Sequence, residues 1–370
     1  MMAKTRNKYY PDYLPHPGET LAELLDEREM SQKELALRTG LSPKAINEIV
    51  KGKALPSRET ADKFEPIFGL SANFWMDKSN RYMDYISEAK KRHEAEKQFQ
   101  FLKQFPFAKA FKFNFVVPFK TRDPYELYDN FLKYFKVSSV EQWKEMWLNP
   151  SVAYRKSPAY ENNPFAASMW LRQGIIQAEN IACELFDKQK AKNIIPEIKK
   201  LTMEPNPEIF IPKLLELCCS VGIAVVLIPS IQGCTASGAT KWLNSDKVML
   251  LLSLRHKTND HFWFSFFHEF GHILLHGKKD TFIEDKNSRD VVKEQEADDF
   301  ASNTLISKSN WDRFEYVGRF DQKSIVDFAS KVGVAPGIVL GRLQKKELLP
   351  YQHVLTKKLK VYYKWREESA

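Results

Sequence analysis

Apolar residues recur along this chain at two spacings, and the change between them divides it. Between residues 18 and 205 they fall three or four apart, as in helices with one buried face. Residues 18–75 hold several short patterns of this kind separated by turn signals. Residues 77–104 are highly charged with helical spacing and predict a connecting helix. Residues 105–205 are rich in aromatics, with helical stripes at Phe131, Leu132 and Phe135 and over 168–187. Near residue 222 the spacing shortens. IAVVLIP (223–229) is a β-branched run of strand length, and SGATKWL (237–243) and KVMLLLS (247–253) follow, with Asn244, Ser245 and Asp246 as a tight turn between them. A long apolar helix then begins near His261. The order predicts a mainly α chain with an α+β part holding a small three-stranded sheet. Residues 1–17, polar and aromatic with Pro11, Pro15 and Pro17, predict an arm.

Two segments carry chemistry beyond packing. In SQKELALRTGLSPKAINEIVKGK (31–53), Ser31 is placed to cap a helix with Glu34 at the capping-box position, and Leu35 and Ala36 face inward. Gly40 suits a left-handed turn. Ser42 caps the next helix, Pro43 fills its first turn, and Ile46, Ile49 and Val50 form its buried stripe. That is the layout of a helix-turn-helix with 42–51 as the reading helix. Lys44 and Asn47 could then reach base edges, and Gln32, Lys51 and Lys53 phosphates, with Ser42 and Ala45 as further candidate positions on the DNA side. A weaker echo, SIVDFASKVGVAPGIVLGRLQ (324–344), is too apolar at Ile338, Val339 and Leu340 for an exposed reader and predicts a packing element.

The second segment is His268-Glu269-Phe270-Gly271-His272. On a helix, positions i and i+4 share a face, so both imidazoles can reach one ion, and Glu269 lies beside them to take a proton from a metal-activated water. A catalytic zinc usually takes a third protein ligand. His276 is too far along a straight helix to share an ion with His268 and is read as supporting, substrate-facing or structural. In KEQEADDFASNTLI (293–306), Ala297, Phe300, Ala301 and Leu305 form a buried stripe. Glu294 lies on that stripe, and Asp298 follows four residues later, able to accept the second N–H of a ligand histidine. Glu294 is the leading third ligand and Glu296 the alternative. The strand Ser237, Gly238, Ala239 and Thr240 is a candidate edge for an extended substrate.

The run SGATKWL, HEFGHILLH and EQEADDFA is similar to the ImmA/IrrE family of zinc metallo-endopeptidases, over roughly 206–306 and more weakly through 168–180 and 325–365. That resemblance implies a gluzincin-like site with His268, His272 and Glu294 as zinc ligands, Glu269 as general base, and a repressor-like protein as substrate. Asp298 stands where the family typically has Asn, and Leu305-Ile306-Ser307 departs from the family's usual run. Residues 17–82, with Glu59-Thr60-Ala61, Phe68-Gly69-Leu70-Ser71 and Phe74-Trp75, resemble HigA-type antitoxins of the XRE class. This implies a homodimer on operator DNA and a small toxin as partner.

Composition narrows the picture. Net charge is +9, but residues 1–92 hold 16 Lys and Arg against 14 Asp and Glu, so DNA binding rests on the motif and not on bulk charge. Cys183, Cys218, Cys219 and Cys234 match no cysteine-based zinc site and read as small buried hydrophobes. The absence of an apolar run long enough to span a bilayer predicts a cytoplasmic protein with no membrane partner. The expected organisation is a helix-turn-helix domain at 1–93, a helical connecting and packing region at 94–205, a peptidase domain at 206–312, and a helical region packing on it at 313–370. The expected function is a DNA-binding regulator carrying a zinc endopeptidase. The alternatives are a regulator whose metal domain is structural or sensory, and a helix-turn-helix that docks substrate.

Overall fold

The computed structural model describes residues 11, 13–107, 123–148, 163–229, 231–253, 255, 257–277 and 288–363. Most of the arm therefore lies outside the described residues, as do residues 364–370. The chain divides into two compact units, Met1–Gln98 and Phe99–Ala370.

In the first unit, local capping sets the boundaries of α1 (Pro17–Glu27), α2 (Gln32–Thr39), α3 (Pro43–Val50) and α4 (Arg58–Phe68). Ser31, Ser42 and Ser57 each accept a backbone N–H from the third residue after them. Gly40 ends α2 at φ 69° and Gly69 ends α4 at φ 74°, conformations that favour glycine. Leu21, Leu35, Ile46, Ala61, Phe64 and Trp75 form the core. Val50, expected in the buried stripe, is only half-buried, because it ends α3 at the rim of that core. The start of α1 abuts the end of α3: a Cβ on Gly18 would lie 1.9 Å from the Ile49 carbonyl oxygen. The long helix α5 (Ala72–Leu102) carries the chain into the second unit.

The second unit opens with α6 (Pro124–Phe135), α7 (Val140–Leu148) and α8 (Pro164–Asn180). Phe105 packs edge-on against Phe131 and Trp143, at ring separations of 5.2 and 5.0 Å. The helical stripe expected to reach residue 187 stops at Asn180, because the following segment pairs its backbone elsewhere. Glu184 N–H donates to the Cys219 carbonyl and Phe186 N–H to that of Asp246. This also brings Cys183 and Cys219 into contact, 3.3 Å between sulfurs and half-buried, whereas Cys218 and Cys234 are buried as expected. The chain continues through α9 (Lys188–Asn193), α10 (Ile195–Leu201) and α11 (Pro207–Cys219) into the sheet.

Strands β1 (Ile223–Ile228), β2 (Gly238–Trp242) and β3 (Val248–Ser253) lie in the order β1-β3-β2. β3 pairs parallel with β1 and antiparallel with β2, which leaves β2 at an edge. Alternation along β3 separates two faces. Leu251 meets Gly174 of α8, while Leu250 and Leu252 join the core that holds Phe266, Phe267 and Phe270 of α12 (Asn259–Leu275). The chain then forms α13 (Ser288–Leu305), α14 (Lys308–Val317), α15 (Gln322–Val332), α16 (Pro336–Lys345) and α17 (Val354–Leu359). The apolar echo of a helix-turn-helix forms α15 and α16, with a turn at Gly333, and buries Ile338, Val339 and Leu340 in the α12 core. The end of the described chain clasps the start of α12: Lys360 Nζ donates to Asp260 Oδ2 at 2.6 Å, and Trp263 Nε1 to the Tyr363 hydroxyl at 3.1 Å. Among the described residues no single helix is long and apolar enough to cross a membrane.

One cap is pH-sensitive. His16 is buried and its Nδ1 accepts the Gly18 N–H at 2.8 Å, which requires a bare nitrogen. Burial pushes the imidazolium pKa below its ordinary 6.5, against the opposing charge of Glu19. The unfolded chain therefore binds this proton first, and the stability the cap contributes falls as pH drops through 6.5 towards the folded value. Thermal unfolding of the full chain should lose more stability between pH 7 and pH 5 in wild type than in His16→Asn, by about 1 kcal/mol, the worth of a cap. Parallel pH profiles would contradict this.

Candidate metal centre

The sheet, α13 and α16 pack around α12, so His268, Glu269 and His272 are buried with its apolar residues, while His261 at its start is exposed. His268 and His272 stand one turn apart, 4% and 2% exposed, with Glu269 beside them at 1%. Helix α13 crosses close by because small residues line the contact: a Cβ on Gly271 would lie 3.3 Å from the Ala297 Cα and 3.1 Å from Phe300 Cδ1. This approach delivers Glu294, whose side chain is 16% exposed, to the imidazole pair.

Donor spacing tests whether a metal fits. Two ligands each about 2.0–2.1 Å from a tetrahedral zinc lie roughly 3.3–3.4 Å apart. His268 Nε2 and His272 Nε2 are 3.0 Å apart. Glu294 Oε2 is 3.1 Å from His268 Nε2, and Oε1 is 3.3 Å from His272 Nε2. These three side chains form a group that could hold a metal ion. Three imidazole and carboxylate donors suit zinc and leave a fourth tetrahedral position for water or substrate.

Supporting bonds fix the donors. Asp298 Oδ1 lies 2.8 Å from His268 Nδ1, so the proton of a neutral His268 can sit there with Nε2 turned to the metal. Burial works against charge on the Glu294 carboxyl, but hydrogen bonds from His268 and His272 outweigh it and hold its pKa down to about 2. Burial likewise opposes the His268 imidazolium, and bonds to Asp298 and Glu294 with the charge of Glu269 overcome it and raise that pKa. At His272, burial prevails over Glu294 and the pKa falls. Glu269 is engaged from β2: Thr240 Oγ1 donates to its Oε2 at 2.7 Å. Gly238, on the same strand face, leaves room for it, since a Cβ there would lie 2.4 Å from Glu269 Oε1. Alternation sends the Ala239 side chain to the opposite face, where it is buried. Ser237 precedes the strand and accepts the Ser253 N–H through its carbonyl at 2.8 Å. Glu296, the alternative ligand, lies with His276 instead, its Oε2 3.0 Å from His276 Nε2. The Thr240–Glu269 bond joins residues 29 apart, and no local pattern marks it.

In the first unit, Ser42 is committed to capping α3, its Oγ accepting from the Ala45 N–H at 3.1 Å. Lys44 is exposed, with Nζ 3.9 Å from Glu48 Oε1. Lys51 and Lys53 are exposed just beyond α3, and Gln32, Ala45 and Asn47 are half-buried.

Comparison with known proteins matches each unit separately. A helix-turn-helix family model matches residues 21–75, and a peptidase family model described as the IrrE N-terminal-like domain matches residues 237–344. The chain is similar to the uncharacterized HTH-type transcriptional regulator YddM of Escherichia coli, with 31% identity over 77 residues, or 21% of this chain and 80% of that protein. It is similar also to multiprotein-bridging factor 1 of Candida glabrata, with 36% identity over 53 residues, or 14% of this chain and 35% of that protein. A solved structure of a HigA-family addiction module antidote protein from Coxiella burnetii shares 27% identity, covering 23% of this chain and 94% of its own, with a TM-score of 0.21.

Purified protein should bind about one zinc per chain, and Glu294→Ala should lose most of it. Asp298→Ala should weaken zinc about tenfold or more in competition with a chromophoric chelator, the usual cost of removing a partner behind a ligand histidine. Zinc content unchanged in Glu294→Ala would remove Glu294 from the ligand set.

Proposed function

Given that this chain belongs to the HTH-type transcriptional regulators and carries an IrrE-like domain in its second unit, we propose that it is a DNA-binding regulator with a zinc-dependent endopeptidase. Its substrate is a protein: a regulator, a partner or the chain itself. The observation that carries this is the convergence of His268, His272 and Glu294 at zinc-ligand spacing with a buried carboxylate, Glu269, one residue from the first ligand.

His268, His272 and Glu294 would hold the metal. Zinc supplies, when bound, polarisation of a peptide carbonyl and of a water molecule. Glu269 accepts a proton from the attacking water at its carboxylate and passes it to the leaving amine. Thr240 orients that carboxylate through its bond to Oε2. The unshared edge of β2 pairs with an extended substrate strand, which brings a scissile bond past Gly238 and Thr240 to Glu269. A site serving only structure has no use for a base at position 269, which favours catalysis over a purely structural or sensory metal domain.

The first unit reads operator DNA with α3, through Lys44 and Asn47 at base edges and Gln32, Lys51 and Lys53 at phosphates, with Ser42 and Ala45 on the same side of the helix start. The resemblance to HigA-type antitoxins supports a homodimer on the operator and a small toxin as a further partner. Cleavage then controls either transcription or release of that partner.

Glu269→Gln should keep zinc at the wild-type level and reduce cleavage of a substrate protein by at least about a hundredfold, the scale of lost general-base catalysis. Retained cleavage, read by mass spectrometry of the fragments, would exclude Glu269 as the base. Lys44→Ala should weaken operator binding, with Kd measured against salt. If Lys44 reaches a phosphate, the slope also becomes shallower by about one. Binding indistinguishable from wild type at every salt concentration would place Lys44 off the DNA.

A further inference from the structure

The far nitrogens of the two imidazoles are held in different ways. His268 Nδ1 meets a carboxylate directly, Asp298 Oδ1 at 2.8 Å. His272 Nδ1 meets another imidazole, His276 Nδ1 at 2.9 Å, and His276 Nε2 meets Glu296 Oε2 at 3.0 Å. Two neutral imidazoles bond through facing nitrogens only when one carries the hydrogen and the other is bare. His272 must keep Nε2 bare to face a metal, so its hydrogen sits on Nδ1 and is donated to His276. His276 then carries its own hydrogen on Nε2 and donates it to Glu296, which as a carboxylate can only accept. The row has a single direction, set at its far end by Glu296.

Local structure explains how two acidic residues so close together take opposite tasks. Glu294 and Asp298 are four apart on α13 and share the face turned to the imidazoles. Glu296 is two residues from Glu294, about 200° around the helix, and cannot join them. His276, the C-cap residue of α12, leaves the helix with φ −107° and ψ 164°. Its imidazole is 4% exposed, while Glu296 is 54% exposed.

From this geometry we infer that His276 and Glu296 are positioning residues for metal binding. Together they fix the tautomer and ring orientation of His272, as Asp298 does for His268, and they make the site's affinity depend on a surface carboxylate two hydrogen bonds away from it. The inference rests on the metal-site reading above.

The test uses the full chain and zinc itself. Zinc affinity is measured by chelator competition for wild type, His276→Ala, Glu296→Ala, Glu296→Gln and the double alanine variant, and ligand geometry from the d–d bands of the cobalt(II)-substituted proteins. His276→Ala and Glu296→Ala should each weaken zinc about tenfold and shift the cobalt bands. Glu296→Gln, which keeps an accepting oxygen without its charge, should fall between Glu296→Ala and wild type. Residues acting in series are not additive, so the double variant should bind no more weakly than His276→Ala. Wild-type affinity in Glu296→Ala, or losses that simply add in the double variant, would overturn the inference while leaving the metal site standing. Wild-type protein that takes up no zinc would overturn the site itself and this inference with it. Glu296 lies on the surface, so its variants remain informative even if His276→Ala fails to fold.

Discussion

Donors from two helices can meet at one point only where the helices come close, and α12 and α13 do so at Gly271 and Ala297. A Cβ at position 271 would already lie 3.1 Å from Phe300 Cδ1 and 3.3 Å from the Ala297 Cα, so the contact that brings Glu294 to the imidazoles has only a few tenths of an ångström to give. The remainder of the second unit holds α12 in place for that contact. Phe266, Phe267 and Phe270 seat it on the sheet. Gly337 and Gly341 let α16 reach Asn259 and Asp260, where an added Cβ would lie 2.5 and 2.4 Å from side-chain oxygens. Lys360 neutralises Asp260 at the start of α12, and losing one partner of a buried pair costs about 3–5 kcal/mol.

Burial brings its own constraint. Carboxylates and imidazoles taken from water must be paired, or they change protonation. Glu269 is met by Thr240, Glu294 by both ligand histidines, and His268 by Asp298. A cluster so fully cross-bonded has few rotamers open to it, so its donors are arranged before a metal arrives. The small residues Gly238 and Gly271 act in the same way from opposite sides, one making room for the base and the other for the third donor.

Much of this was legible in the sequence because it is local. The spacing of His268 and His272, the carboxylates at 294 and 298, the serine caps at 31 and 42 and the glycine turn at 40 all depend on neighbours within one or two helical turns. The three strands appear within a residue or two of their expected ends for the same reason. What depends on distant partners was hidden. The stripe through 168–187 kept helical spacing past Asn180, but backbone pairing with Cys219 and Asp246 draws residues 184–186 out of the helix. Asp260 and Lys360 are 100 residues apart. Glu296 looked like a possible ligand because an acidic side chain on a helix says nothing by itself about direction, and it is the crossing of α12 and α13 that brings it to His276.

The chain joins a DNA-reading fold and a candidate hydrolytic centre, each with its own core. The claim on which the enzymatic half stands is that His268, His272 and Glu294 bind one zinc ion together. X-ray absorption at the zinc K-edge of the zinc-loaded full chain tests it most directly. The spectrum should show two imidazole nitrogens at about 2.0–2.1 Å, carboxylate oxygen at about 2.0–2.2 Å, and one further light donor. In the small fraction of Glu294→Ala that still holds zinc, the carboxylate contribution should disappear. Sulfur at about 2.3 Å, or a first shell without imidazole scattering, would contradict the claim.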